Sequence, residues 1–186
     1  VTLAEPSQQQ LEIAKDFLKG HPEVDQKLMQ ADNLHFPDRS IDLFTMIRVM
    51  HHLPDPSAEL KELARALSDD GYLILEVANY AHARNRLKHL LKVRRLPKVP
   101  IDIRSGKNRN DQTIPFVNHN PKTIIKQLAH AGLRVEKTLS VSNLRSPMLK
   151  KLVSSKALLV VERAIQAPLA KTFFGPSVFF LITKVK

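Results

Sequence analysis

Residues 31–77 read ADNLHFPDRSIDLFTMIRVMHHLPDPSAELKELARALSDDGYLILEV, and the order of patterns within them decides the fold. "IDLFTMIRVM" (41–50) is apolar on both faces, as a buried parallel strand should be. Pro-Asp-Pro (54–56) turns the chain, and Asp55 can cap a helix with Pro56 at its first position. Leu60, Leu63, Ala64 and Leu67 then repeat at i, i+3, i+4 and i+7, the stripe of an amphipathic helix. "SDDG" (68–71) reads as a turn into a further buried strand, "YLILEV" (72–77).

The same alternation continues outward. "VTLA" is a short strand with Glu5 at its carboxyl end. Ser7 is placed to cap a helix carrying Leu11, Ala14, Phe17 and Leu18, which Gly20 closes. "KLMQA" (27–31) is another short strand. Downstream, residues 80–116 form a basic insertion, helix followed by loop. Asn120 and Pro121 start a helix that buries Ile124, Ile125 and Leu128 and stops at Gly132. "LRVEKTLSV" (133–141) and "SVFFLITKV" (177–185) are the last strands, separated by an apolar helical stretch at 147–170 interrupted at Pro168. Strands alternating with amphipathic helices predict one α/β domain over 1–186 with a mostly parallel sheet. Ligands in such sheets sit beyond the carboxyl ends of the strands. That rule singles out Glu5, the Ala31–Asn33 turn, Arg48 to His52, and Val77 to Tyr80.

Composition narrows the chemistry. The chain has no cysteine, which removes disulfides, zinc–thiolate sites, iron–sulfur clusters and thiol catalysis. A reducing, cytoplasmic setting is the expectation. No apolar run approaches the roughly 20 residues of a membrane helix. The net charge of +11 is concentrated: between 81 and 110 there are ten Lys and Arg against Asp102 alone, leaving +2 for the rest of the chain.

The quoted stretch resembles the class I S-adenosylmethionine-dependent methyltransferases, in particular the small-molecule branch that includes ubiquinone and menaquinone biosynthesis enzymes. The shared series is an acidic Ala-x-x-Leu segment, Ser-x-Asp before a strand, His-His, a helix, and a turn before the next strand. "HNPKTIIKQLAHAGLRVEK" (119–137) is similar as well. The resemblance implies a Rossmann-like sandwich with an antiparallel C-terminal strand, S-adenosylmethionine as cofactor, and methyl transfer to a small-molecule acceptor, anionic or lipid-like. It implies that Glu5 takes the two ribose hydroxyls and that Asp32 bonds the adenine amino group, with Asn33 and Leu34 beside the ring. Spacing from Leu34 leaves Gln30 as the alternative to Asp32. Ile47, Arg48 and Val49 would line the cofactor.

Two departures stand out. "SDDG" replaces the family's Pro-Gly-Gly, and the glycine-rich loop after the family's first strand is missing. That loop lets backbone approach the methionine part of the cofactor closely. Either the chain begins at the family's second strand, which its start inside a strand favours, or the activity has been lost. Weak cofactor binding, or none, is the expectation for these 186 residues alone.

His51 and His52 first suggest a metal, but consecutive residues on a strand point to opposite faces, and no third ligand follows at recognisable spacing. The expectation is that one packs while one lines the site as a wall or base. His119, Arg84 and Lys88 are the candidates for contact with the acceptor through a lid. The basic segment has no aromatic residue between 81 and 110 for base stacking, so nucleic acid is not the expected partner. A lid over the acceptor is favoured, and a non-catalytic domain binding an anionic partner is the second reading. The sequence is silent on oligomeric state.

Overall fold

The computed structural model describes residues 1–110 and 114–185. β1 (Thr2–Glu5) and β2 (Asp25–Leu28) pair in parallel, with Glu5 opposite Leu28. Between them runs α1 (Gln8–Phe17), started by Ser7, whose hydroxyl accepts the Gln10 N–H. Leu11 is the buried residue of this helix, while Ile13 and Phe17 stay exposed. The helix ends at Phe17, and Gly20 does not adopt the left-handed conformation of the expected glycine cap. β2 also begins and ends earlier than "KLMQA", because Met29 turns into the core.

β3 (Ile41–Met46), α2 (Ser57–Ala66) and β4 (Leu67–Ala78) form the expected strand–helix–strand unit with β3 and β4 parallel. Three boundaries differ from the sequence reading. β3 stops at Met46 instead of running to residue 50, because Arg48 turns the chain with φ 60°. Pro56 is the N-cap of α2, and Asp55 accepts hydrogen bonds from the Ser57 N–H and hydroxyl instead of capping from the position expected. "SDDG" lies inside β4, not in a turn. The register between β3 and β4 slips there, and Gly71 packs where a Cβ would meet Ser68 Oγ at 2.7 Å and Leu67 Cδ1 at 2.9 Å.

After β4 come α3 (Ala83–Leu91), the two-residue β5 (Ile101–Asp102), α4 (Gly106–Asn110) and β6 (Val117–Asn118). Beyond the helix and loop expected, the basic insertion therefore contributes β5 to an antiparallel pairing with β6, which follows it. α5 (Pro121–His130) is capped by Asn120 and followed by Gly132 at φ 77°, the conformation a helix end reserves for glycine. β7 (Leu133–Val141) leads to α6 (Pro147–Leu152) and α7 (Ser155–Ala170). The break between these helices falls at Val153–Ser154, where Ser154 caps α7. Pro168 stays within α7. β8 (Ser177–Lys184) inserts antiparallel between β4 and β7.

The four-stranded sheet has the order β3-β4-β8-β7, and β1–β2 forms a separate parallel pair. Among the described residues no strand joins β1 to β3. The core gathers Leu60 and Leu63 of α2, Leu73, Leu75 and Val77 of β4, Ile124 and Leu128 of α5, and Val178, Phe180 and Ile182 of β8. Burying side chains of this kind stabilises by about 1.5–3 kcal/mol each relative to exposure.

Candidate functional site

The strand ends meet through the core. Met29 and Leu34, on either side of the turn after β2, belong to the same buried cluster as Met46 at the end of β3 and Met50 beyond it. β1 joins them because the Met29 N–H donates to the Glu5 carbonyl at 3.3 Å. The turn after β2 and the end of β3 thus share one apolar cluster, and the end of β1 is bonded to Met29 at its margin.

Glu5 is half-buried, and its Oε1 accepts the Ser7 N–H at 3.0 Å, which fixes the carboxylate at the start of α1. Residues Gln30 to Asn33 make a tight turn closed by the Asn33 N–H on the Gln30 carbonyl at 3.2 Å. Asp32 and Asn33 are exposed at its tip, as is Gln30. Leu34 is instead 6% exposed and packed in the core, so its side chain is floor rather than open wall. Its backbone is held from α2: Glu62 Oε1 accepts the Leu34 N–H at 3.0 Å, and Arg65 donates to the Leu34 carbonyl at 3.0 Å. The Glu62–Arg65 pair is itself joined at 2.7 Å. Arg65 lowers the Glu62 pKa from the ordinary carboxylate value.

Ile47, Arg48 and Val49 are exposed just past β3. Their turn is fastened by Glu76 of β4, whose Oε2 accepts the Arg48 N–H at 3.0 Å while its Oε1 accepts the Ser177 hydroxyl at 2.6 Å. Glu76 had no distinguishing signal in the sequence beyond its place in "YLILEV".

His51 and His52 do not lie on a strand. They close a 3-10 turn, Met50–His52, and their rings sit together at 4.0 Å between centroids instead of on opposite faces. His51 is buried against Phe116 at 4.3 Å, and burial lowers its pKa, with His52 and Arg48 adding to the effect. His52 is half-buried and donates from Nδ1 to the Pro115 carbonyl at 3.0 Å. In the neutral ring that bond leaves Nε2 as the nitrogen able to take a proton. The end of the basic insertion therefore does fold over the histidine pair, through Pro115 and Phe116.

The remaining lid candidates separate. His119 is 3% exposed, donates from Nε2 to the Met50 carbonyl at 2.9 Å, and has its pKa lowered by burial. It supports the histidine turn from beneath instead of facing an acceptor. Arg84 and Lys88 are exposed on α3. Arg84 lines a cavity of about 770 Å³ together with His82, Asn143, Arg145 and Phe174, and none of the residues around Glu5 or Asp32 lines it. Two features escaped sequence reading. One is this cavity, assembled from loops far apart in the chain. The other is Glu59, whose pKa is raised by burial and by the nearby Asp32 and Asp55 charges, and whose Oε2 is buried without a partner. Among the described residues no three His, Asp or Glu cluster to hold a metal.

Residues 1–138 match the family model described as "Methyltransferase domain", and the chain belongs to that family. Similar curated relatives include a tRNA U34 carboxymethyltransferase of Nautilia profundicola, 33% identical over 67 residues, covering 36% of this chain and 22% of that protein. The uncharacterized methyltransferase YcgJ of Bacillus subtilis is 35% identical over 77 residues, covering 40% of this chain and 30% of its own length. The chain thus matches less than a third of either relative. Among solved structures, a SAM-dependent methyltransferase of Methanosarcina mazei aligns with all of this chain and 82% of its own, at a TM-score of 0.63 and 15% identity. The architecture is the α/β Rossmann-like methyltransferase fold.

Proposed function

We propose that the domain takes S-adenosylmethionine and transfers its methyl group to a small-molecule acceptor. The observation that carries this reading is that the Gln30–Asn33 turn and the Ile47–Val49 turn adjoin one buried cluster of Met29, Leu34, Met46 and Met50, with the Glu5 carbonyl bonded to Met29. The donor set suits an adenosine group. A carboxylate at Glu5 has two oxygens for a vicinal diol, and exposed Asp32 or Gln30 can accept from an exocyclic amine. Apolar Ile47 and Val49 offer the ring a surface.

When bound, the cofactor supplies an electrophilic methyl group on a sulfonium. The chain's contribution is placement: the strand ends fix the nucleoside, and the turn after β3 brings His52 next to that site. His52 takes a proton at Nε2 where the acceptor must lose one, oriented by its Nδ1 bond to Pro115. His119 is a positioning residue that holds the Met50 carbonyl and with it the histidine turn.

Ligand-observed NMR with S-adenosylhomocysteine tests the reading. Saturation from the protein should reach the adenine and ribose protons more strongly than the methionine protons, and Glu5→Ala should remove it. Equal transfer to both halves, or transfer unaffected by that substitution, contradicts it.

A second reading has its own support. Curated relatives include tRNA U34 carboxymethyltransferases, so an RNA acceptor, or transfer of a carboxymethyl group, competes with the small-molecule reading. The cations of α3, which have no ion-pair partner among the described residues, would then contact phosphates.

A further inference from the structure

We propose that the outward face of α3 and the turn that follows it dock on an anionic lipid surface. α3 is attached to the protein by its polar side. Asn85 Nδ2 donates to the Tyr80 carbonyl at 2.9 Å, and His89 bonds the Tyr80 hydroxyl at 3.3 Å with one ring nitrogen and the Arg95 carbonyl at 3.1 Å with the other. Asn85 and His89 are four residues apart and share one face. On the opposite face stand Leu87, Leu90 and Leu91, exposed to 57%, 73% and 76%, and no residue of the helix is buried. Val93, 94% exposed, extends this surface, held outward by a left-handed φ of 50° that a β-branched residue seldom adopts. A helix that only shields a core places its leucines inward, so this arrangement is inverted for a purely structural element.

Charge selects the occupant. Arg86 and Lys88 flank the leucine stripe on its two sides, and Lys92, Arg94 and Arg95 follow it. Among the described residues none of these five cations has an ion-pair partner; the carboxylate of their segment, Asp102, is engaged by Arg104 and Arg109. Apolar side chains bordered by cations match a headgroup layer: the leucines enter the acyl boundary while the long basic side chains reach outward to anionic groups. A nucleic acid offers phosphates for the cations but nothing for three exposed leucines, and residues 81–110 hold no Phe, Tyr or Trp on which bases would stack. No helix among the described residues is long and apolar enough to cross a membrane, so the contact is interfacial. The amino end of α3 lines the 770 Å³ cavity through Ala83 and Arg84, so docking holds that cavity beside the lipid surface. The inference does not depend on the transfer reaction.

Co-sedimentation of the full chain with vesicles tests it, using phosphatidylcholine alone and phosphatidylcholine mixed with phosphatidylglycerol. Binding should require the anionic lipid and weaken as salt is raised. The triple variant Leu87→Gln, Leu90→Gln, Leu91→Gln should partition at least about tenfold less, since each leucine loses its burial in the acyl boundary. These side chains are exposed, so circular dichroism of the variant should match the parent. No binding to anionic vesicles, equal binding to neutral ones, or unchanged partitioning of the triple variant would overturn the proposal. So would a transfer RNA that binds more tightly than the vesicles and is indifferent to the leucine substitutions.

Discussion

Glu76 holds Arg48: the Arg48 backbone N–H donates to Glu76 Oε2 at 3.0 Å, and this bond fixes the turn that ends β3. Arg48 adopts φ 60° there, a conformation that costs a non-glycine residue on the order of 1–2 kcal/mol. The other oxygen of Glu76 accepts from Ser177 on β8, so one carboxylate ties three strands at the carboxyl edge of the sheet. Glu76→Ala should lower unfolding stability by about 0.5–1.5 kcal/mol for each hydrogen bond lost, since water can reach the freed donors. Urea denaturation measures it, and hydrogen exchange of the Arg48 amide should accelerate. An unchanged midpoint would show that the turn stands without the carboxylate.

Buried and half-buried imidazoles give the fold a sensitivity to acid. His51, His82 and His119 all have pKa values lowered from 6.5, chiefly by desolvation. The unfolded chain therefore binds more protons than the folded one as pH falls past 6.5. The sign follows: their stabilising contribution is present above 6.5 and is lost as pH drops through the lower folded values. The urea midpoint should fall between about pH 7.5 and about pH 5.5, a window that brackets the ordinary histidine range. His119→Gln should flatten that dependence, whereas a slope unchanged by the substitution would assign the effect elsewhere.

The cavity beside α3 is framed by a closed hydrogen-bond set. Ser140 Oγ accepts the Gly175 N–H at 2.7 Å and donates to Asn143 Oδ1 at 2.6 Å, while Glu162 accepts from the Asn143 and Leu144 amides. A Cβ on residue 175 would collide with the Val141 carbonyl and lie 2.8 Å from Asn143 Oδ1. Gly175→Ala should cost about 1–3 kcal/mol through overpacking. Thermal denaturation checks this, and a variant as stable as the parent would mean that the loop yields at no cost.

The sequence made the layers legible where period and capping agreed. Ser7, Asn120 and Gly132 act at helix ends as their chemistry predicts, and the Leu60–Leu63 stripe packs inward. It misled where tertiary bonds override local signals. "SDDG" looks like a turn, yet a register slip absorbs it within β4. "IDLFTMIRVM" looks like one strand, yet Glu76 captures the chain at Arg48 and redirects His51 and His52 onto a turn. The positions of Glu5, Asp32 and Ile47 to Val49 at strand ends were readable from the sheet rule and the family resemblance. The burial of Leu34 and His119 was not, because it arises from contacts with α2 and with Met50, distant in sequence.

The central claim is that the strand ends around Glu5 hold the nucleoside half of S-adenosylmethionine. Amide chemical-shift mapping of the 186-residue chain with millimolar S-adenosylhomocysteine tests it most directly. The predicted shifts fall on Glu5, Gln30 to Asn33 and Ile47 to Val49, and Glu5→Ala weakens them at least about tenfold in apparent affinity, as loss of hydrogen bonds to a charged group requires. Shifts confined to the Arg84–Arg145 cavity, or none at these strand ends, would contradict the account.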